Sequence, residues 1–355
     1  MKQKTIFVID DVRTNLDYLV EILSNEYKVL AAPGGEIALN IIDQLAVLPD
    51  LILLDIIMPD MDGYEVCARL KNNPKTEQIP VVFLTARASE EDEAKGLSLG
   101  AIDYISKPVR ADIVRARLKN HLALYDKSRL LEDLVEARTQ ELHQTQDVVI
   151  HSLACLAETR DSEAGGHVHR TQHYVKALAE RIRDDNKYKQ LLTDRMISRL
   201  YKGAPLHDIG KVGIPDRILL KPGKLTEDEF EEIKKHTLYG RNAILSAETY
   251  LGSNSFLRVA RDIAYTHHEK WDGSGYPEGL KAEDIPLSGR LMAVADVYDA
   301  LISRRVYKAP FSHDAAKKII LAGKGTHFDP HIVNAFIAVE HTFKDITLQF
   351  HDDIG

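Results

Sequence analysis

Five short apolar runs punctuate the first third of the chain, at residues 6–9, 27–31, 51–54, 81–85 and 103–106. Each is too short for a helix and is bounded by polar or turn-forming residues. Between them lie stretches of helical period, such as 15–24 and 35–45. Continuous apolar runs alternating with amphipathic helices predict a doubly wound, flavodoxin-like α/β domain over 1–121, with a five-stranded parallel sheet covered on both faces. The pattern then changes. From 114 to 157 there is neither Gly nor Pro, and Leu, Ala, Glu, Arg, Lys and Gln dominate, which predicts one long helix. Leu118, Leu122, Tyr125, Leu131, Leu134, Leu142 and Val149 approximate a seam along it, broken by Arg129 and Arg138. A coiled-coil connector pairing two copies of the chain is therefore expected over 122–150. Beyond it the strand signals stop. Helical stretches at 174–182, 195–202, 227–236, 257–267, 289–303 and 315–322, separated by Gly and Pro, predict an all-α domain over 151–355.

Charge narrows the partners. With 46 Lys and Arg against 54 Asp and Glu, the formal net charge of −8 disfavours bulk binding to nucleic acid. No compact basic helix-turn-helix is present either, so direct DNA binding is not expected. A small anion held by a few local cations remains compatible. The two cysteines, Cys67 and Cys155, lack Cys-x-x-Cys spacing and suit a reducing, cytoplasmic setting. The N-terminus runs directly into the first strand without a cleavage-signal pattern. No apolar run approaches the roughly 20 residues that a spanning helix needs.

In a parallel sheet the ligand site lies at the carboxyl ends of the strands. Asp10 and Asp11 follow the first strand, Asp55 the third and Lys107 the fifth, while Thr85 ends the fourth. Three converging carboxylates call for a divalent cation with oxygen ligands, and magnesium fits. Over this whole segment the chain resembles the receiver domains of response regulators. The resemblance implies that Asp55 accepts a phosphoryl group from a histidine kinase. It also implies that Asp11 and Asp55 bind Mg²⁺ directly, that Asp10 assists through water and that the carbonyl of Ile57 completes the protein ligands. Lys107 and Thr85 would pair with the new phosphoryl oxygens, and Tyr104 would turn inward as Thr85 moves. A cis peptide is expected at Lys107-Pro108 on the same ground.

The second half carries a different ligand chemistry. His167, His207, His236, His267 and His268, with the carboxylates Glu163, Asp208 and Asp296, make eight candidate ligands, too many for one tetrahedral ion and suited to two or three ions sharing carboxylates. Imidazole and carboxylate without thiolate favour Fe, Mn, Ni or Zn over Ca or Mg. His121, His143, His151, His313 and His327 have no motif position and are expected to be structural; His169 and His173, although near His167, lack one too. The ordered series His207-Asp208-Ile209-Gly210-Lys211, His236, His267-His268-Glu269, Gly275-Tyr276-Pro277 and Asp296 resembles the HD-GYP phosphodiesterases of the HD superfamily.

That resemblance implies a metal core of His167, His207, Asp208 and Asp296. Asp208 would bridge two ions, His236, His267 and His268 would complete the second, and Glu163 would mark a third. Lys211 would neutralise the phosphate or the departing oxygen, Tyr276 would contact a base, and Arg305 and Lys308 would engage phosphate or guanine. Two departures, Val306 and Glu278, bear on substrate preference and leave the metal core untouched. The implied activity is hydrolysis of cyclic di-GMP to the linear pGpG, with onward cleavage to GMP left open, under control of Asp55 phosphorylation. Preference for pGpG or cyclic GMP-AMP, and a role limited to binding, are the alternatives.

Overall fold

Thr5–Ile9 (β1), Lys28–Ala32 (β2), Leu51–Asp55 (β3), Val81–Thr85 (β4) and Asp103–Ser106 (β5) form one parallel sheet in the order β2-β1-β3-β4-β5. A computed structural model describes residues 3–86, 90–159, 166–251, 256–303 and 309–350, and within these the side chains at 90–93 and 251 are not described. β3 and β4 are buried at every position, as strands covered on both faces must be. Helices Arg13–Leu23 (α1), Gly35–Gln44 (α2), Gly63–Lys71 (α3) and Glu90–Ser98 (α4) connect the strands. Register aligns the strand ends: Ile9 pairs with Leu54, and Thr85 with Ser106, so Asp10, Asp55, Thr85 and Lys107 emerge along one edge.

The long helix is continuous from Ala111 to Glu158 (α5). Its first turns belong to the sheet's core: Val114, Leu118 and Leu122 pack with Ile6, Val8, Leu53 and Leu84. Leu118 and Leu122 therefore cannot join an outward seam, which corrects their expected role. Outward apolar positions of α5 include Leu124, Leu131, Val135, Leu142, Val149 and Leu156, all about half exposed or more. Their successive spacings are four or seven residues, and further exposed apolar side chains, Leu130, Leu134, Val148 and Leu153, lie between them. The chain divides into two compact units, Met1–Thr139 and Gln140–Gly355.

Within the second unit, the remaining helices are His167–Ile182 (α6), Asp194–Gly203 (α7), Asp216–Leu219 (α8), Glu227–Leu251 (α9), Leu257–Thr266 (α10), Leu287–Ile302 (α11), His313–Ala322 (α12), Pro330–Ala338 (α13) and Glu340–Gln349 (α14). Thr193 and Ser312 start α7 and α12 by accepting from backbone amides inside the first turn. α9 runs fifteen residues past the expected end at His236. Gly240 lies inside it, against Gly210 and Ala264. Tyr174, Tyr298, Phe336 and Phe343 centre the core, with Tyr174 stacked on Phe343 at 4.3 Å. None of the described helices is long and apolar enough to cross a membrane.

Replacing the fully buried Leu118 with Ala should cost about 2 to 5 kcal/mol in the first unit's unfolding free energy. Leu131→Ala, on the outward face of the same helix, should cost less than about 0.5 kcal/mol in that unit. Chemical denaturation followed by the unit's own spectroscopic signal checks both.

Candidate metal centres

Pro205 follows α7 and the backbone tightens into a 3-10 turn over Ala204–Leu206; a second such turn, Ile209–Gly213, follows at once. Between them, Asp208 adopts φ −105° and ψ 10°, outside the helical wells. Two adjacent side chains, His207 and Asp208, thereby enter the same cleft but join different groups. One group is His167, His207 and Asp296; the other is Asp208, His236, His267 and His268; in each, the ligand atoms lie within 4.8 Å of one another. Asp208 faces both groups. Its Oδ1 lies 3.3 Å from His236 Nε2 and 3.6 Å from His267 Nε2, while Oδ2 lies 3.4 Å from His207 Nε2 and 2.7 Å from Lys211 Nζ.

The imidazoles are held from behind. The Nδ1 atoms of His207, His236 and His267 meet the carbonyls of Ala204, Ile233 and Ile263 at 3.0, 2.7 and 3.0 Å, and His167 Nδ1 meets Asp299 Oδ2 at 2.8 Å. An acceptor at Nδ1 holds a proton there, so in the neutral ring each of these Nε2 atoms turns a lone pair into the cleft. Asp208 Oδ1, His236 Nε2 and His267 Nε2 are buried without a hydrogen-bond partner. Buried polar atoms left so are costly, and a cation between them is the compensation their geometry fits.

Titration follows the same surroundings. Burial pushes His236 down to about 4, and burial together with His267 and His236 holds His268 well below the usual imidazole range. Both are therefore neutral at pH 7 and able to act as ligands. Burial opposes the charged form of Asp208, but Lys211 and His207 outweigh it and keep this carboxyl well below its usual range.

Close backbone contact fixes the cleft. A side chain at Gly210 would stand 1.9 Å from the His236 carbonyl oxygen and 2.4 Å from the Gly240 nitrogen. One at Gly289 would stand 2.2 Å from Thr266 Oγ1. These two glycines bring α9 to the His207-Asp208 turn, and α11, with Asp296, to the end of α10.

Sequence reasoning missed the layer behind the ligands. Asp299 is fully buried and accepts from His167 and also from Arg170, at 2.7 Å to Oδ1 and 3.0 Å to Oδ2. The signal was present as a spacing, since Arg170 follows His167 by three residues on α6 and Asp299 follows Asp296 by three on α11, one helical neighbour in each case. Glu158 was missed too; its carboxylate lies 3.8 Å from His167 Nε2. Glu269, buried beside the histidine pair, accepts from the amides of Glu278 and Leu280 and so pins the turn that carries Tyr276. Tyr276 packs on His268 with ring centroids 4.8 Å apart. Glu278 accepts a hydrogen bond from the Tyr265 hydroxyl. Glu163, Arg305, Val306 and Lys308 lie outside the described residues. His169 packs on His151 and Phe350 rather than on either ligand group, and His173 packs on Tyr201 and Phe350. His313 meets the Tyr298 hydroxyl at 2.8 Å and His121 meets Asp103 at 2.7 Å, both as structural histidines.

In the first unit, Asp10, Asp11 and Asp55 form a third such group. Lys107 Nζ reaches Asp10 Oδ2 at 2.8 Å and Asp55 Oδ2 at 2.7 Å. Burial raises the Asp55 carboxyl, against the opposing pull of Lys107 and the Ile57 backbone amide. Thr85 is buried beside this edge, and Tyr104 is partly exposed. Lys107-Pro108 is cis, as is Tyr276-Pro277.

Comparison with known proteins follows the same division. Residues 6–119 match the response regulator receiver domain and residues 129–332 match the HD domain. Over 99% of its length the chain is 51% identical to a Vibrio cholerae protein named probable cyclic di-GMP phosphodiesterase, of which it covers 81%. The chain belongs to the HD-domain phosphodiesterases. A cyclic di-GMP phosphodiesterase response regulator of Xanthomonas campestris is 36% identical over 97% of this chain and 90% of its own. A 3'3'-cGAMP-specific phosphodiesterase of Vibrio cholerae is 39% identical over 58% of this chain and 38% of its own. The HD domain implies a divalent metal centre, and the histidine and aspartate clusters supply suitable donors.

Two substitutions test the supports of the HD-domain cleft. Asp299→Asn should weaken metal binding by about 10- to 100-fold through the His167 group, as loss of an imidazole's supporting carboxylate does elsewhere. Gly210→Ala should reduce metal content and lower the thermal midpoint together. Metal titration and elemental analysis of the purified full chain read out both.

Proposed function

We propose that the HD domain hydrolyses cyclic di-GMP to pGpG, with GMP as a further product, and that phosphorylation at Asp55 controls the rate. The observation that carries this reading is Asp208, whose two oxygens face two separate ligand groups, the arrangement needed for a carboxylate shared by two ions. His167, His207 and Asp296 would hold one ion and His236, His267 and His268 the other, with iron or manganese best suited and Ni or Zn compatible. A pair of ions so held supplies charge for the phosphoryl oxygens and lowers the pKa of a water. The protein's own groups do the rest. The buried carbonyls and Asp299 keep the imidazoles of His167, His207, His236 and His267 aimed, Lys211 offers a cation to the phosphate or the departing oxygen, and Tyr276 presents a ring to a base.

The relative named for cyclic di-GMP, matching almost the whole chain, supports that substrate; the relative named for cGAMP keeps a mixed cyclic dinucleotide as the second reading. In the receiver domain, Asp10, Asp11 and Asp55 would hold Mg²⁺ with the Ile57 carbonyl, and a histidine kinase would phosphorylate Asp55. Lys107, Thr85 and Tyr104 would answer the new charge. The outward apolar positions of α5 suit a homodimer paired along that helix, and a change in the pairing would carry the receiver's state onward.

Purified under anaerobic conditions, the chain should contain two or three metal ions and convert cyclic di-GMP to pGpG or GMP faster than it converts cyclic GMP-AMP. Asp208→Ala or chelation should abolish turnover. Metal without turnover of any of cyclic di-GMP, pGpG and cyclic GMP-AMP would refute the substrate assignment. Beryllofluoride should raise the rate in the wild type and leave Asp55→Asn unchanged, as read by product formation.

A further inference from the structure

α9 continues past the metal ligands in a way that the catalytic reading leaves unused. Its buried side runs through His236, Thr237, Gly240, Ile244 and Glu248. Phe230 stands seven residues before Thr237, on that same side two turns earlier, yet it is 46% exposed. A large aromatic ring half exposed beside a cleft is open to contact by a ligand there.

Its neighbours say which kind. The Phe230 and Tyr276 rings lie 6.2 Å apart and nearly perpendicular, at 81°, and Tyr276 in turn packs on the candidate ligand His268. Lys234 Nζ lies 4.8 Å from the Phe230 ring and 5.5 Å from the Tyr276 ring, and it pairs with Glu231 at 2.5 Å. Lys234 is partly exposed, so that pair is weak and its cation stays available to a stronger anion. Two aromatic walls and a cation, continuous with the metal cleft, match a nucleobase joined to a phosphate.

Resting on the function proposed above, we propose that Phe230 and Lys234 receive the second nucleotide of the cyclic dinucleotide. Phe230 stacks its purine, and Lys234 pairs with the phosphate that is not being cleaved. Tyr276 separates this position from the one at the metals. Phe230 and Lys234 thus set affinity for a dinucleotide and leave the attack on phosphorus to the groups around Asp208.

Phe230→Ala and Lys234→Gln in the full chain test this, with cyclic di-GMP as the probe. Each should raise KM about tenfold, the usual scale for losing one stacked base or one phosphate contact, with kcat and metal content held within about twofold. Phe230→Trp should restore KM. Unchanged KM in both variants, while the wild type hydrolyses the probe, would overturn the assignment and leave the proposed function standing. Loss of kcat together with bound metal would overturn it too, by making Phe230 a support of the metal centre. A metal-loaded wild type that turns over none of the three nucleotides would remove the proposed function, and this assignment with it.

Discussion

Burying imidazoles beside carboxylates is the constraint on which the second unit depends. Each such group loses water, and each must be repaid by a partner in a fixed direction. The repayment comes in two layers. Helix carbonyls and Asp299 take the outer nitrogens, and this commits the inner ones to the cleft. With the tautomers settled from behind, the inner lone pairs crowd around Asp208, an arrangement tolerable only with positive charge among them. Lys211 provides one cation at Oδ2, while Oδ1 remains without a hydrogen bond. The ordering of α6, α9, α10 and α11 around the tight turn follows from these demands as much as from the apolar core.

The first unit solves a smaller version of the same problem. Three carboxylates meet at the end of a sheet whose strands are otherwise apolar, and Lys107 reaches two of them. In both units a lysine lies against the carboxylate on which the chemistry is proposed to turn. In both, too, backbone register places that carboxylate: paired strand ends in one, two 3-10 turns in the other.

Much of this was legible in the chain. The strands emerged within a residue or so because an apolar run covered on both faces leaves an unmistakable sequence mark. The candidate ligands were legible because His and Asp in such numbers have few other uses. What escaped was whatever depended on a third dimension. Leu118 and Leu122 were assigned to a seam because their spacing suits one, although the sheet had already claimed that face of α5. α9 was ended at His236, although it runs on to Leu251 through Gly240, where contact with Gly210 holds it. Asp299 and Arg170 were passed over because a residue that touches only a ligand carries no motif of its own. Phe230 carries no motif either, and the exposed ring beside Tyr276 is what distinguishes it.

The adjacency of His207 and Asp208 has a further consequence. One peptide bond joins the two ligand groups, so the backbone spacing of these two anchors is set by covalent geometry, with consecutive Cα atoms about 3.8 Å apart. Packing can drift with temperature, sequence change or a signal; that link cannot stretch. Evolution can therefore remodel the helices around the cleft, and a regulatory motion can open or narrow its mouth, while the spacing at its heart stays constant. Under the control proposed above, a switch acting on such a centre would alter entry and departure more readily than the backbone spacing of its ligands.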